Sequence, residues 1–174
     1  MCGPVGAGLG MRSTSSSDSA EILRRLREDL GSLRRIIGSQ RLDRLIAVRS
    51  GVSIGVVAVA VLGKVIDDGP MRMTDLADAV RMHPAALTRQ VQALETEGYV
   101  ERSADPLDGR ASVVTATAIG RDAHQLIEAA NDEIMAEQLA DWPFSDLVEL
   151  VDGLDRLVAD LRAVPAKRRG KSAE

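Results

Sequence analysis

Two groups of side chains have the types and spacing to hold a polyanion. The first lies in the turn-rich stretch Ala104-Asp-Pro-Leu-Asp-Gly-Arg110, which separates two short β-prone runs, Tyr99 to Ser103 and Ala111 to Thr115. Pro106 and Gly109 sit where a hairpin must reverse, so the stretch predicts a two-stranded wing with Arg110 near its tip and Asp108 two residues before it. A guanidinium on such a tip suits the negative potential of a DNA minor groove. The second group is the polar face of a predicted helix from Pro84 to Thr96. Ala85, Thr88, Arg89, Gln92 and Thr96 lie opposite Leu87, Val91 and Leu94, which recur at i, i+4 and i+7. Small and hydrogen-bonding side chains with one guanidinium can approach base edges and bond to them in a major groove. An ordinary solvated helix face carries similar residues. What singles this one out is the wing directly after it.

The flanking elements must position both groups. Thr74 is expected to cap a helix over Asp75-Leu-Ala-Asp-Ala-Val80, with Asp75 and Asp78 near its positive end. His83-Pro84 interrupts that pattern, and Pro84 suits the first position of the next helix because the amide it lacks would have no partner there. His83 is expected to cap this helix or touch a phosphate. The candidate DNA-binding residues are therefore Thr74, His83, Pro84, Ala85, Thr88, Arg89, Gln92, Asp108 and Arg110. After the wing, Thr117 is the natural cap for a helix over Ala118 to Ala140, with Ile119, Ala123, Leu126, Ala130 and Ile134 on one face. Asp141-Trp-Pro-Phe-Ser145 breaks the pattern, Trp142 and Phe144 are expected to pack at the junction, and Met71, Met73 and Met82 to fill gaps in the core.

Both ends of the chain carry apolar seams. Leu23, Leu26, Leu30, Leu33 and Ile37 alternate in steps of three and four, as do Leu147, Leu150, Leu154, Leu157 and Leu161. Such seams bury best against other helices, and a short core cannot cover both. They either fold on each other or pair with a second copy.

Composition narrows the function classes. The chain has 174 residues, 45% of them apolar, which suffices for a core. The net charge of −4 is unevenly spread: eight Arg face four acids between Glu21 and Ser50, while three Arg face eleven acids between Gly120 and Ala163. The tail Lys167-Arg-Arg-Gly-Lys171 is expected to be disordered and solubilising. The Gly-rich start lacks a basic region followed by a long apolar one, so no export signal is expected and the location follows as cytoplasmic. The run Val52 to Ile66 is interrupted by Ser53, Gly55, Gly63 and Lys64 and is too short to span a bilayer. Cys2 is the single cysteine, and His83 and His124 stand far apart without metal-ligand motifs, so neither metal nor cofactor is expected. No Ser/His/Asp or Cys/His constellation suggests an enzyme. A methyltransferase would need a further nucleotide-binding domain with a Gly-rich loop.

Leu76-Ala77, Leu87-Thr-Arg-Gln-Val91, Leu94-Glu-Thr-Glu-Gly-Tyr-Val-Glu-Arg102, Asp105-Pro-Leu-Asp-Gly-Arg110 and Thr117-Ala-Ile-Gly120 together resemble the winged-helix signature of MarR-type transcriptional regulators. His83 departs from the small capping residue usual there, and Gly109 from a frequent second Arg. The resemblance implies a mainly α (α+β) fold, a winged helix-turn-helix with N- and C-terminal dimerisation helices. It places a disordered lead at 1–19, dimerisation helices at 20–50 and 118–163, the winged helix-turn-helix at 51–117 and a basic tail at 164–174. It also favours a buried helix over Val52 to Ile66, with Ser53 as cap, although the Val content would permit a strand. The implied function is a sequence-specific homodimeric repressor on double-stranded, pseudo-palindromic operator DNA. Leu23, Leu26, Leu30, Leu33, Leu150, Leu154, Leu157 and Leu161 would form the dimer seam, and Asp108 would orient Arg110. Relatives often bind aromatic effectors, so release by a small molecule stays open, with thin support from only three aromatic residues. Peroxide-sensing relatives carry their thiol on the first helix, unlike Cys2. The remaining alternative is a winged-helix protein-interaction module without DNA binding.

Overall fold

A computed structural model of the chain describes residues 16–109 and 111–163. Cys2, Arg110 and the basic tail therefore lie outside the described residues, as does most of the lead. The chain divides into a unit ending at Ala130 and a second beginning at Asn131, described separately below.

In the first unit, α1 (Ser16–Ile37) already starts inside the expected lead, and α2 (Gln40–Ser50) follows. Ser39 separates them by capping α2, its side chain accepting from the Leu42 amide. Gly51, with φ of 71°, closes α2 in the left-handed conformation that glycine tolerates without cost. The valine-rich run forms a helix, α3 (Val56–Asp68), and buries Ala58, Val61, Leu62 and Val65. Ser53 does not cap it. The N-cap is Gly55, in extended conformation, and no side chain bonds to the helix start, which comes only at Val56, three residues beyond Ser53.

A two-residue strand, β1 (Met71–Arg72), then leads straight into α4 (Met73–Ala79). This displaces Thr74 from its expected cap. Pairing of Met71 with Val114 and Arg72 with Val113 holds the backbone extended up to Arg72, which is itself the N-cap. Thr74 falls within the first helical turn, where its hydroxyl donates to the Asp75 carboxylate at 3.4 Å. The next helix, α5 (Pro84–Thr96), has the bounds the sequence predicts and buries Leu87, Val91 and Leu94.

The wing strands β2 (Val100–Ala104) and β3 (Ser112–Ala116) each begin one residue later than expected. The Tyr99 amide is committed to Leu94 at the helix exit, and the Ala111 amide to Asp108 in the wing turn. The sheet is antiparallel in the order β1-β3-β2, with Val100 opposite Ala116 and Ala104 opposite Ser112. One apolar core joins α3, α4, α5 and the inner face of the sheet, with Val100, Val114 and Ala116 from the strands. Met71, Met73 and Met82 pack against its margin.

Thr117 caps α6 (Ala118–Gln138) as expected, its hydroxyl accepting from the Gly120 amide at 3.0 Å while donating to the Gly98 carbonyl at 2.7 Å. The buried stripe differs from the expected one. Ala123, Ile127 and Ala130 are buried, whereas Ile119 and Leu126 are exposed at 62% and 52%. A helix seated through Ala123 and Ala130 turns position 127, not 126, toward Val52 and Tyr99.

The second unit holds the end of α6, where Ile134 is buried, and α7 (Phe144–Ala163). Trp142 and Phe144 do not pack a junction. They are 47% and 80% exposed, on either side of Pro143, whose carbonyl accepts the first amide bonds of α7. No described helix is long and apolar enough to cross a membrane.

Candidate nucleic-acid interface

The helix-turn-helix is set by its connection. The His83 Nδ1 accepts from the Ala85 amide at 3.3 Å, and Pro84 takes the first helical position, so α5 starts without a wasted donor. The Thr88 hydroxyl donates to the Pro84 carbonyl and the Thr96 hydroxyl to the Gln92 carbonyl, both at 2.9 Å. Their hydrogens are thus used within the helix, and what they present outward is a methyl group and hydroxyl lone pairs. The Arg89 and Gln92 side chains are exposed and have no hydrogen-bond partner among the described residues. The outer face of α5 therefore offers five guanidinium donors and one amide on an otherwise small surface.

The wing is fastened to this helix by residues that sequence spacing did not single out. Asp105, at the end of β2, is 7% exposed. Its Oδ1 accepts from the Leu107 amide at 2.7 Å and its Oδ2 from Arg72 Nε at 2.5 Å. The Leu107 amide, followed by the Arg72 guanidinium, holds the Asp105 carboxyl below the usual carboxylate range, against the opposing effect of burial. The Asp105 amide donates to the Ala111 carbonyl at 2.9 Å and closes the base of the turn. On the other side, Arg102 of β2 pairs with Glu95 of α5. One ion pair thus holds the wing base to β1 and the other ties the wing strand to α5.

The Asp105–Leu107 bond is an Asx turn, and Asp-Pro was its available signal in the sequence. Nothing in the spacing marked Arg72 as the partner, since 33 residues separate the pair.

Of the expected site residues, His83, Pro84, Ala85, Thr88, Arg89 and Gln92 share α5 and its cap. Asp108 is exposed on the wing turn, its amide donating to the Asp105 carbonyl at 3.2 Å. Thr74 stands apart, exposed on α4. On α1, Leu23, Leu26, Leu30 and Leu33 are exposed within their own unit. On α7, Leu150, Leu154 and Leu161 are exposed and Leu157 is partly so. Among the described residues no three His, Cys, Asp or Glu side chains are grouped to hold a metal ion.

Comparison with known proteins agrees with this geometry. The sequence model of the MarR family matches residues 57–112, from α3 through the wing. The uncharacterized HTH-type transcriptional regulator YxaD of Bacillus subtilis is 32% identical over 74 residues, covering 42% of this chain and about half of YxaD, 52%. A probable transcriptional regulator of known structure from Pseudomonas aeruginosa is 30% identical, with a TM-score of 0.59 over 76% of this chain and 98% of its own. The fold is also shared with a mutant of MarR from E. coli complexed with operator DNA, 23% identical, with a TM-score of 0.58 over 74% of this chain and 93% of that one. With the helix-turn-helix, the braced wing and the capped α6 in the order of that family, the chain belongs to the MarR family of winged-helix transcriptional regulators.

Proposed function

We propose that the chain is a sequence-specific, homodimeric repressor that places α5 in the major groove of operator DNA and its wing in the adjacent minor groove. The observation that carries this reading is the outer face of α5. It pairs an exposed Arg89 and Gln92 with small neighbours, and an ion-paired wing stands beside it. Arg89 reads a base edge or a nearby phosphate. Arg110, oriented by Asp108, supplies positive potential to the minor groove. Two recognition helices about 34–36 Å apart would read a pseudo-palindrome.

The exposed leucines of α1 and α7 support dimerisation through the helices at 20–50 and 118–163, because apolar stripes of this length are rarely left in water. A half-open cleft of about 360 Å³ between the start of α3 and α5 touches Gln90, Thr96 and Glu97, and would let a small effector bias the recognition helix. A cytoplasmic location fits a chromosomal target.

Selection of bound sites from random DNA tests the reading. A two-fold symmetric motif is expected, and Arg89→Ala should lower affinity by about 1–3 kcal/mol and relax one position per half-site. Failure to enrich any motif, with a protein partner captured through α5 instead, would favour the interaction-module alternative.

A further inference from the structure

Arg81, in the turn between α4 and α5, has φ of 52° and is the one non-glycine with positive φ among the described residues. The other positive-φ positions are Gly51, Gly69 and Gly98. The local bonds explain why the turn needs this conformation. The Met82 amide donates back to the Ala77 carbonyl at 2.9 Å and the Arg81 amide to the Asp78 carbonyl at 3.2 Å, the pattern of a helix ended by a left-handed residue. That reversal returns Met82 to the core margin and leads into the His83 cap. Glycine fills such a position without a steric penalty, and helix-turn-helix connections often use it. Here the chain accepts the crowding of a Cβ and keeps an exposed guanidinium.

The charge pattern says what that guanidinium is free to do. Five cations lie between Val56 and Gly109: Lys64, Arg72, Arg81, Arg89 and Arg102. Lys64 pairs with Asp68, Arg72 with Asp105 and Arg102 with Glu95. Arg81 and Arg89 have no carboxylate partner among the described residues. Arg89 stands on the outer face of α5, and Arg81 stands two residues before its cap. From there a long side chain reaches the wall of a groove that α5 occupies, not its floor.

We infer that Arg81 is a phosphate clamp: it binds the phosphodiester backbone flanking the major groove and fixes how deeply α5 enters, without reading sequence. This rests on α5 being the recognition helix. A purely structural alternative is that Arg81 helps the fold by its charge near the C-terminus of α4. The two roles differ in sign for one substitution.

The test compares the full-length parent with Arg81→Gly and Arg81→Lys, by thermal melting and by titration onto a selected operator and an unrelated duplex at several salt concentrations. Arg81→Gly should raise the melting midpoint by about 2–4 °C, since the left-handed strain is removed. The same variant should weaken binding to both duplexes alike, by about eightfold per chain at 0.1 M salt, and reduce the salt slope by about 0.9 per chain. Arg81→Lys should keep most of the slope. A lower melting midpoint for Arg81→Gly overturns the proposal in favour of the structural role. An unchanged slope overturns it as well, and so does a loss confined to the operator. A parent that binds neither duplex overturns both this inference and the recognition-helix reading, whereas a binding parent matched by Arg81→Gly overturns this inference alone.

Discussion

Two glycines in helices make opposite demands on an added methyl group, and the contrast can be worked out from their neighbours. Gly120 lies in the first turn of α6, and a Cβ built there would overlap the backbone carbonyl of Tyr99 at the entry to β2. Backbone cannot step aside without breaking something. The same Tyr99 carbonyl accepts from the Thr117 amide at 3.0 Å, and the Thr117 hydroxyl is the α6 cap. Gly120→Ala must therefore lift α6 or distort β2. The cost should reach about 3 kcal/mol, the upper part of the usual range for forced overpacking. At the size of this chain that lowers the melting midpoint by about 6–12 °C.

Gly63, buried in α3, is different. A Cβ there would lie 2.8 Å from His124 Nε2, so the obstacle is an imidazole. Alanine gains about 1 kcal/mol of helix propensity over glycine, and displacing the ring costs about as much or slightly more. Gly63→Ala alone should fall within about 1 kcal/mol of the parent. In a His124→Ala background it should become stabilising by about 1 kcal/mol, because the propensity gain is then unopposed. Gly120→Ala should find no such rescue. Urea unfolding at one fixed protein concentration, on the parent, the three single variants and the double variant, measures all of this. The seating of α6 on β2 is refuted by a Gly120→Ala protein as stable as the parent. The imidazole account is refuted if Gly63→Ala costs the same with and without His124.

Thr117→Ala should cost about 1 kcal/mol by urea unfolding, from loss of the cap to the Gly120 amide, and Thr117→Ser should restore most of it. Asp105 gives a pH dependence with a definite sign. Its folded carboxyl lies below its unfolded value, so its contribution to stability is full above the ordinary carboxylate pKa and is lost as pH falls through the lower, folded one. Melting midpoints of the parent and Asp105→Asn should therefore differ at pH 7 and converge in acid; a constant gap would sink the idea. Asp108→Ala should weaken operator binding at fixed salt although it removes an acid near DNA, and Arg110→Ala should weaken it more evenly across sequences with loss of A·T-rich preference. Tighter binding by Asp108→Ala would show that it does not orient Arg110. Leu30→Asp or Leu154→Asp should dissociate the proposed dimer or unfold the chain in sedimentation, since a carboxylate in an apolar seam is left unpaired.

Where the chain punctuates itself, the sequence was a sufficient guide. Pro84 and Gly98 bracket α5, so its bounds follow from a residue lacking an amide and one accepting φ of 74°. Thr117 is legible for the same local reason, and the wing strands shift by only one residue because the two end amides are taken by neighbouring turns. Errors begin where a partner distant in sequence decides. Thr74 is a better cap than Arg72 on side-chain chemistry alone, yet β3 holds Met71 and Arg72 extended and fixes the helix start. β1 itself is two residues long and has no periodicity to detect. On α6 the expected stripe holds at Ala123, Ala130 and Ile134 and fails at Ile119 and Leu126, because Leu126 and Ile127 are equally apolar and only Val52 and Tyr99 choose between them.

The wing brace shows the same limit at the candidate site. Glu95 stands in the Leu94–Arg102 run with no task that its spacing announces, and the structure gives it one, holding Arg102 and with it β2. Arg72 carries no mark in the sequence and is the residue that secures the wing base through Asp105. Local chemistry could announce that a wing exists, from Asp-Pro, Gly109 and the flanking β-prone runs. It could not announce what holds the wing at a fixed angle to α5, because each brace joins residues whose separation in sequence carries no periodic signal. Both pairs are partly screened from water, with Asp105 only 7% exposed. In the proposed reading they also set orientation, since a recognition helix and a wing engage adjacent grooves only if both are presented at once.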